Sequence, residues 1–279
     1  MAADLKKKID FKNMLTRFVS GIILLAIVVV SGVFGSWYFY VVAMVISLIC
    51  LWEFYRMAGI DRRPVGIAGY VGAVLLWVLL ALQLEEYLPA ALIIGFFAVM
   101  GVYVFHFVHT EVTEAVYAFF GLFYVVFLLS FMYRIRMLDD GVFLLWLILL
   151  GSWGCDLSAY CVGIVFGKHK MAPDLSPKKT IEGAVGGVLG AAFLGAMYGA
   201  LFGSNFVKID YPVFACAAAC AAAGLISMIG DLAASAFKRS HGIKDYSKIL
   251  PGHGGLMDRF DSVIFVAPVV FYVVKFFMR

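Results

Sequence analysis

The sequence has 279 residues, of which 64% are hydrophobic and only 14% are charged, and its mean hydropathy is +0.98. Ordinary soluble domains carry about 25% charged residues, so this composition excludes a conventional water-soluble globular protein, and it equally excludes a disordered chain. The net charge of +4 is too small to indicate a nucleic-acid partner. The composition is that of an all-α, polytopic integral membrane protein.

Apolar runs between polar breaks predict about nine transmembrane helices along the chain. Each crossing of the hydrocarbon core takes about 20 apolar residues, and the chain has room for nine crossings joined by short loops. The intervals between the runs are too short for a soluble domain of any size. The nine predicted spans are residues 16–34, 36–56, 65–84, 88–108, 114–134, 141–166, 181–203, 211–235 and 262–278.

The distribution of Lys and Arg predicts the orientation of these spans. With the N-terminus in the cytoplasm and nine crossings, 17 of the 22 basic residues fall on the cytoplasmic side. This bias is expected when positively charged loops stay inside, and an even number of spans would abolish it. The two longest polar intervals, 167–180 and 236–261, are therefore predicted to face the cytoplasm. Since both lie late in the chain, we expect residues 1–140 to form a scaffold of about five helices and residues 141–279 to form the membrane region that carries the functional site.

Four acidic residues lie inside the apolar runs or at their edges: Glu53, Asp156, Glu182 and Asp231. Ionisable groups are costly within a membrane, so each of the four is a candidate for function. On the predicted topology all four could be reached from one water-filled cavity that opens to the cytoplasm. The alternative for each is an acid that is paired with a neighbouring Lys or Arg for packing alone.

The richest polar segment spans residues 235–262. Its Pro-Gly-His-Gly-Gly run at 251–255 interrupts a helix and allows the backbone to approach a ligand. Carboxylates are suitable ligands for Mg²⁺, and Lys and Arg side chains beside the metal can bind further phosphate oxygens. Asp258 and Asp261 are three residues apart, so on a helical turn they project to one face. A merely solvated charged loop would explain neither the glycines nor the intramembrane Asp231 just upstream.

A second polar segment, residues 156–187, leads into the seventh predicted span. Its Ser-Pro-Lys-Lys-Thr run is predicted to form a turn in which Ser176 or Thr180 caps the following helix. A helix N-terminus beside Lys178 and Lys179 is a natural anion site, although positive-inside loops often carry lysine pairs. The seventh span is rich in glycine at four-residue spacing, which favours close helix packing over the alternative of a dimer face.

Residues 235–261 resemble the signature of the phosphatidate cytidylyltransferase family, whose members are also called CDP-diacylglycerol synthases. That signature contains a Lys-Arg pair, a Lys-Asp pair, a loop that ends in His-Gly-Gly, and a final Asp-Arg-apolar-Asp, and the sequence matches it throughout. The stretch from Ser176 to Gly183, the Gly230-Asp231 pair and the Trp-Glu-Phe around Glu53 are also similar to family features. The matching signature residues are Ser235, Phe237, Lys238, Arg239, Lys244, Asp245, Ser247, Leu250, Pro251, His253, Gly254, Gly255, Leu256, Asp258, Arg259, Phe260 and Asp261.

The resemblance implies a multi-pass enzyme of the cytoplasmic (inner) membrane. In the implied reaction, CTP and phosphatidic acid give CDP-diacylglycerol and pyrophosphate, and Mg²⁺ is required. The resemblance further implies a metal centre that involves Asp231 and Asp258, and commonly a homodimer.

These implications lead to a hypothesis for the site residues. Asp231 and Asp258, helped by Asp261, would hold Mg²⁺, with room for a second cation, and His253 would protonate or steady the leaving pyrophosphate. Catalysis would consist mainly of charge neutralisation and positioning. The basic residues expected to share the remaining charge are Lys178, Lys179, Lys238, Arg239, Lys244 and Arg259, and the other expected substrate-binding residues are Ser176, Gly254 and Gly255.

Two other functions are compatible with the same residue types. A CTP-dependent lipid kinase, which transfers the γ-phosphate to a lipid alcohol, would use similar metal and basic groups, but the full-length signature favours the cytidylyltransferase. An ion-coupled transporter also carries acids inside helices. The clustering of the acids toward one face, and the lack of evident inverted halves, argue against a transporter.

Overall fold

The computed structural model describes residues 19–173, 175–252 and 254–279. In this part of the chain the structure is helical except for one two-stranded hairpin and the connecting loops. The hairpin pairs β1 (Lys170–Ala172) with β2 (Ser176–Thr180). The helices are α1 (Val19–Phe34), α2 (Ser36–Met57), α3 (Pro64–Ala81), α4 (Leu88–Phe105), α5 (Val112–Gly121), α6 (Leu128–Met137), α7 (Gly141–Phe166), α8 (Ile181–Phe202), α9 (Pro212–Ser240) and α10 (Met257–Phe276).

Over the residues that the structure describes, every predicted span coincides with a helix, and seven of these helical segments are long and apolar enough to cross a membrane. One of these seven is Val112–Met137, in which a π-helical stretch, Leu122–Phe127, joins α5 to α6. The all-α polytopic membrane architecture is therefore supported. The other two predicted spans correspond to α1, a shorter apolar helix, and to α10, which carries three charged residues among its first five. The total of nine crossings stays a prediction.

The chain divides into two compact units, each made of two stretches of sequence. The first unit contains the described residues up to Gly121 together with Ile243–Arg259, and the second contains Leu122–Gly242 together with Phe260–Arg279. This division is one of packing. The predicted separation of scaffold and catalytic roles at residue 140 concerns function and stays a prediction.

In the first unit, the residues around Glu53 on α2 form part of the core. Leu51, Phe54 and Tyr55 are fully buried, and the Tyr55 hydroxyl donates a hydrogen bond to the carbonyl oxygen of Ala118 on α5. Because its neighbours on α2 are fixed in this way, the Glu53 side chain has a defined position at the end of the helix.

In the second unit, α8 packs against α7 and α9 through its glycines. Gly183, Gly187, Gly195 and Gly199 are all buried, at the four-residue spacing seen in the sequence. A Cβ atom at Gly195 would lie 2.4 Å from the carbonyl oxygen of Cys216 on α9, which is closer than real side chains approach. The prediction that these glycines serve packing within the chain is confirmed.

The hairpin corrects one local expectation. The Ser176–Thr180 run was expected to be a turn, but it is strand β2, which pairs with β1 through Lys170–Thr180 and Ala172–Ser176. The chain reverses before Ser176 instead. The carboxylate of Glu182 in the first turn of α8 accepts hydrogen bonds from the backbone N–H groups of Lys168 and His169, which holds the start of the hairpin against the helix.

Candidate active site

The polar segment of the signature is shorter as a loop than the sequence suggested. It was expected to span residues 236–261, but α9 continues to Ser240 and α10 begins at Met257, so only residues 241–256 connect the two helices. Both extensions follow the helix dipole, since Lys238 and Arg239 lie in the last turn of α9, and Asp258 lies in the first turn of α10. We call residues 243–257 the signature loop.

Glu53 holds the signature loop within the first unit. Its side chain is completely buried, and its carboxylate accepts hydrogen bonds from the backbone N–H of Leu256 (3.0 Å), the backbone N–H of Met257 (2.6 Å) and the hydroxyl of Ser247. Burial of an ionised carboxylate is costly unless it is hydrogen-bonded, and here three donors compensate it. Glu53 therefore caps α10 from a distant part of the sequence.

Asp258 holds the same loop from inside. Its Oδ2 atom accepts hydrogen bonds from the backbone N–H groups of Tyr246 (3.0 Å) and Gly255 (2.9 Å), and its side chain is buried. The two signature glycines allow these approaches. Gly254 has a φ of +82°, and a Cβ atom at Gly255 would lie 2.8 Å from Oε1 of Glu53. The predicted contacts of Gly254 and Gly255 with substrate stay predictions beside this structural role.

The predicted site residues of the first unit include two basic side chains, and both lie at the surface of that unit. Lys244 and Arg259 are both exposed, so they are accessible to a charged ligand. His253, to which the sequence gives a role with pyrophosphate, lies outside the described residues.

Three charged residues from separate elements of the second unit form a carboxylate–lysine cluster, namely Asp156 on α7, Lys179 on β2 and Asp231 on α9. Lys179 Nζ lies 2.5 Å from Asp231 Oδ2 and is enclosed by protein atoms. Asp156 interacts electrostatically with both of the other residues. Lys179 thus pairs with the carboxylate of Asp231 and also attracts that of Asp156, so the cluster carries an excess negative charge when both acids are ionised.

The end of β2 positions Lys179 in this cluster. The next residue, Thr180, caps α8, because its hydroxyl oxygen accepts a hydrogen bond from the backbone N–H of Gly183 at 3.2 Å. The prediction that Ser176 or Thr180 caps this helix is therefore confirmed for Thr180. The alternative interpretation of Glu182 expected a pair with a neighbouring Lys or Arg, but its side-chain partner is a histidine, since its Oε1 lies 2.6 Å from Nδ1 of His169.

The remaining predicted site residues of the second unit differ in exposure. Lys178 and Arg239 are exposed, whereas Ser176 and Lys238 are half-buried. Asp261 is half-buried, and its Oδ1 accepts a hydrogen bond from the backbone N–H of the next residue at 2.7 Å. Within the described ranges, three His, Cys, Asp or Glu side chains do not come together as a set that could hold a metal ion.

The structure gives two acidic residues, Glu53 and Asp156, partners that could not be identified from the sequence. Glu53 and Asp156 were noticed as acids in apolar runs, but neither was assigned to the site. Glu53 contacts Leu256 across 203 residues of sequence, and Asp156 meets Lys179 and Asp231 only when α7, β2 and α9 pack together. The available signal was their charge in an apolar setting, which identifies a costly residue without identifying its partner.

The sequence is similar to known proteins along nearly its whole length. It matches the Cytidylyltransferase family over residues 15–277. It is 30% identical over 265 residues to a phosphatidate cytidylyltransferase of Staphylococcus aureus (strain COL), which covers 92% of this chain and 95% of that protein. It is 29% identical over 282 residues to a phosphatidate cytidylyltransferase of Bacillus subtilis (strain 168), which covers 96% of this chain and 99% of that protein. The phosphatidate cytidylyltransferase of Staphylococcus haemolyticus (strain JCSC1435) is 35% identical over 142 residues, and this match spans about half of each protein, 51% of this chain and 53% of the relative.

Proposed function

The chain belongs to the cytidylyltransferase family, and on that premise we propose that it transfers the cytidylyl group of CTP to phosphatidic acid, with CDP-diacylglycerol and pyrophosphate as products. The observation that carries the proposal is the similarity over more than nine-tenths of the chain to relatives named phosphatidate cytidylyltransferase. The complete signature at residues 235–261 supports it further. The reaction supplies the liponucleotide for phospholipid synthesis.

The chemistry of this reaction matches the charges in the two units. A phosphate oxygen of phosphatidic acid attacks the α-phosphorus of CTP and forms a new P–O–P linkage. The bond between the α-phosphorus and the oxygen that bridges it to the β-phosphate breaks, and pyrophosphate leaves with that oxygen. The attacking group is already an anion at neutral pH, so a strong general base is not required. The main barrier is the approach of two anions, and positioned positive charge lowers it.

Each unit contributes basic residues to this task. In the second unit, Lys178 and Arg239 are exposed to a ligand, and Lys238 stands beside Arg239 in the last turn of α9. Lys179 is held by Asp231, which keeps its ammonium group in a defined place. In the first unit, we assign the exposed Lys244 and Arg259 to substrate phosphates, together with the backbone of Gly254 and Gly255. Ser176 stays a proposed substrate-binding residue of the second unit.

The carboxylates suit Mg²⁺ by their chemistry. Asp231, Asp258 and Asp261 each offer hard oxygen ligands, and Mg²⁺ commonly takes one or two carboxylates and completes its coordination with water and phosphate oxygens. The excess negative charge of the carboxylate–lysine cluster also favours a cation, and a second cation is compatible with it. When bound, Mg²⁺ would neutralise charge on the nucleotide phosphates.

The proposed setting is the cytoplasmic (inner) membrane. We assign nine crossings with the N-terminus and both polar segments in the cytoplasm, because this arrangement places 17 of 22 basic residues inside. The lipid tails of the substrate would then stay in the bilayer while its headgroup reaches the site. Alkaline phosphatase fused after Asn205 should be active, and the same reporter fused after Gly242 should be inactive. The opposite pattern would overturn the orientation.

We also propose a homodimer, which native mass spectrometry from detergent would distinguish from a monomer.

One experiment separates the proposed activity from its rivals. The detergent-purified protein is incubated with Mg²⁺, phosphatidic acid and CTP labelled at either the α- or the γ-phosphate. Label should enter lipid only from the α position, with release of pyrophosphate. Transfer of γ label alone to a lipid alcohol would instead identify a lipid kinase, and proton-coupled uptake without CTP turnover would identify a transporter. Removal of divalent cations with a chelator should abolish transfer, and added Mg²⁺ should restore it.

A further inference from the structure

The Glu53 carboxylate has a place in the first unit that charge neutralisation of the substrates does not explain. It is completely buried, and its described hydrogen-bond donors all belong to the signature loop: the hydroxyl of Ser247 and the backbone N–H groups of Leu256 and Met257. A negative charge at the first N–H groups of a helix is favourable because of the helix dipole. Glu53 therefore fixes the start of α10 with both of its oxygen atoms.

The contacts of Glu53 lead directly to Asp258. Gly255 donates its backbone N–H to Asp258 Oδ2 at 2.9 Å, and the next two residues donate theirs to Glu53. Three successive N–H groups are thus divided between two carboxylates. Gly255 also has no space for a side chain, since its Cβ atom would lie 2.8 and 2.9 Å from the two Glu53 oxygens. A displacement of Glu53 would therefore move the turn to which the Asp258 carboxylate is bound.

We propose that Glu53 is a positioning residue that fixes the Asp258 carboxylate in the geometry required for Mg²⁺ and nucleotide phosphate. Glu53 itself is enclosed by the loop and would touch neither substrate. This role presupposes the proposed function, because Asp258 is the group through which Glu53 acts. Carboxylates and amides that orient a metal ligand from behind commonly contribute 10–100-fold to metal affinity or activity.

Two substitutions separate the charge of Glu53 from its length. Glu53→Gln keeps the length but replaces one acceptor oxygen with an amide that points a donor at another donor. Glu53→Asp keeps the charge and shortens the side chain by one methylene. The matched control is Asp140→Asn, since Asp140 is also a buried carboxylate that accepts backbone N–H groups, those of Val207 (3.0 Å) and Lys208 (3.0 Å), but it has no part in the proposed chemistry.

The test compares these variants by three measurements on detergent-purified full-length protein. The first is the Mg²⁺ concentration at the midpoint of activation. The second is the Mg²⁺ concentration at the midpoint of the Mg²⁺-induced shift in the thermal unfolding temperature. The third is hydrogen–deuterium exchange of the peptide that covers residues 245–258, without substrate. Glu53→Gln should raise both Mg²⁺ midpoints about 10–100-fold and accelerate exchange in this peptide. Excess Mg²⁺ should recover part of the turnover. Glu53→Asp should show a smaller change in the same direction, and Asp140→Asn should lower thermal stability at an unchanged Mg²⁺ midpoint.

Other results would overturn the inference. If Glu53→Gln lowers thermal stability but leaves the Mg²⁺ midpoints at the wild-type value, Glu53 is a structural cap only. If Glu53→Gln does not fold, Glu53→Asp and Ser247→Ala, which removes one donor to Glu53, are judged by the same midpoints. Incorporation of α label by the wild type scores the proposed function separately. If the wild type incorporates none, the proposed function fails, and the Mg²⁺-induced unfolding shift and the exchange data still decide whether Glu53 positions Asp258.

Discussion

The glycine at position 195 offers a quantitative test of how closely α8 and α9 pack. In Gly195→Ala, the new Cβ atom would lie 2.4 Å from the carbonyl oxygen of Cys216 and 2.8 Å from the Cβ atom of Cys220. Real Cβ contacts below 3.0 Å essentially do not occur, so α8 and α9 must move apart by at least 0.6 Å at this point, which is the 3.0 Å limit minus the 2.4 Å distance to the Cys216 oxygen. Such a shift cannot be absorbed by rotation of a side chain, because the nearest atom belongs to the backbone.

The size of the effect follows from a comparison with a glycine that has space. At Gly101 on α4, a Cβ atom would meet nothing within 4 Å. Replacement of a helical glycine by alanine stabilises the helix by up to about 1 kcal/mol at either position, so this gain cancels between the two variants. The difference that remains is the cost of overpacking, about 1–3 kcal/mol. Gly195→Ala should therefore be less stable than Gly101→Ala by this amount.

Thermal and SDS-induced unfolding of the detergent-purified variants measure this difference, and size-exclusion chromatography checks the oligomeric state. We expect a lower unfolding midpoint for Gly195→Ala than for wild type and Gly101→Ala, at an unchanged oligomeric state. Equal stability of the two variants would refute the close α8–α9 contact. A loss of oligomer without a loss of monomer stability would instead assign the glycines of α8 to a dimer face.

Three further substitutions test the site. Asp231→Asn should lower turnover by more than tenfold at saturating Mg²⁺, because it removes both a proposed metal ligand and the partner of an enclosed lysine; near-normal turnover would exclude Asp231 from the metal site. Lys238→Ala should weaken the use of CTP or lipid without loss of folding, whereas Lys208→Ala, which removes an exposed lysine outside the signature, should leave kinetics unchanged. Thr180→Ala should cost about 1 kcal/mol of unfolding free energy by removal of the α8 cap, and Thr180→Ser should retain it; equal losses for both would contradict the cap.

The positions of the membrane helices could be predicted from sequence because their cause is local. An apolar run in lipid must satisfy its backbone within itself, so a run of sufficient length becomes a helix wherever it lies. The prediction of residues 141–166 agrees with α7 at both ends, and the prediction of 36–56 misses the end of α2 by one residue. The ends of α9 and α10 were wrong because a helix can continue in polar surroundings where its charged residues suit the dipole.

The candidate residues of the signature were likewise identifiable from residue types and spacing. Adjacent basic pairs, carboxylates and glycines within one short segment point to phosphate and metal whatever the surrounding fold. The partners of these groups were not readable. The order of residues along the chain does not reveal that Lys179 is held by Asp231, or that Glu53 caps α10, since both contacts depend on which helix faces meet.

The carboxylates of this protein show where sequence information ends. The sequence by itself determined that Glu53, Asp156 and Asp231 are ionisable groups within apolar runs, where a charge is costly unless it finds a partner or water. Only the tertiary structure decided that Glu53 is satisfied by backbone N–H groups, whereas Asp231 is satisfied by an ammonium group. The physical reason is that hydrogen bonds and ion pairs act over a few ångströms, so the partner of a buried charge is set by packing and not by position in the chain.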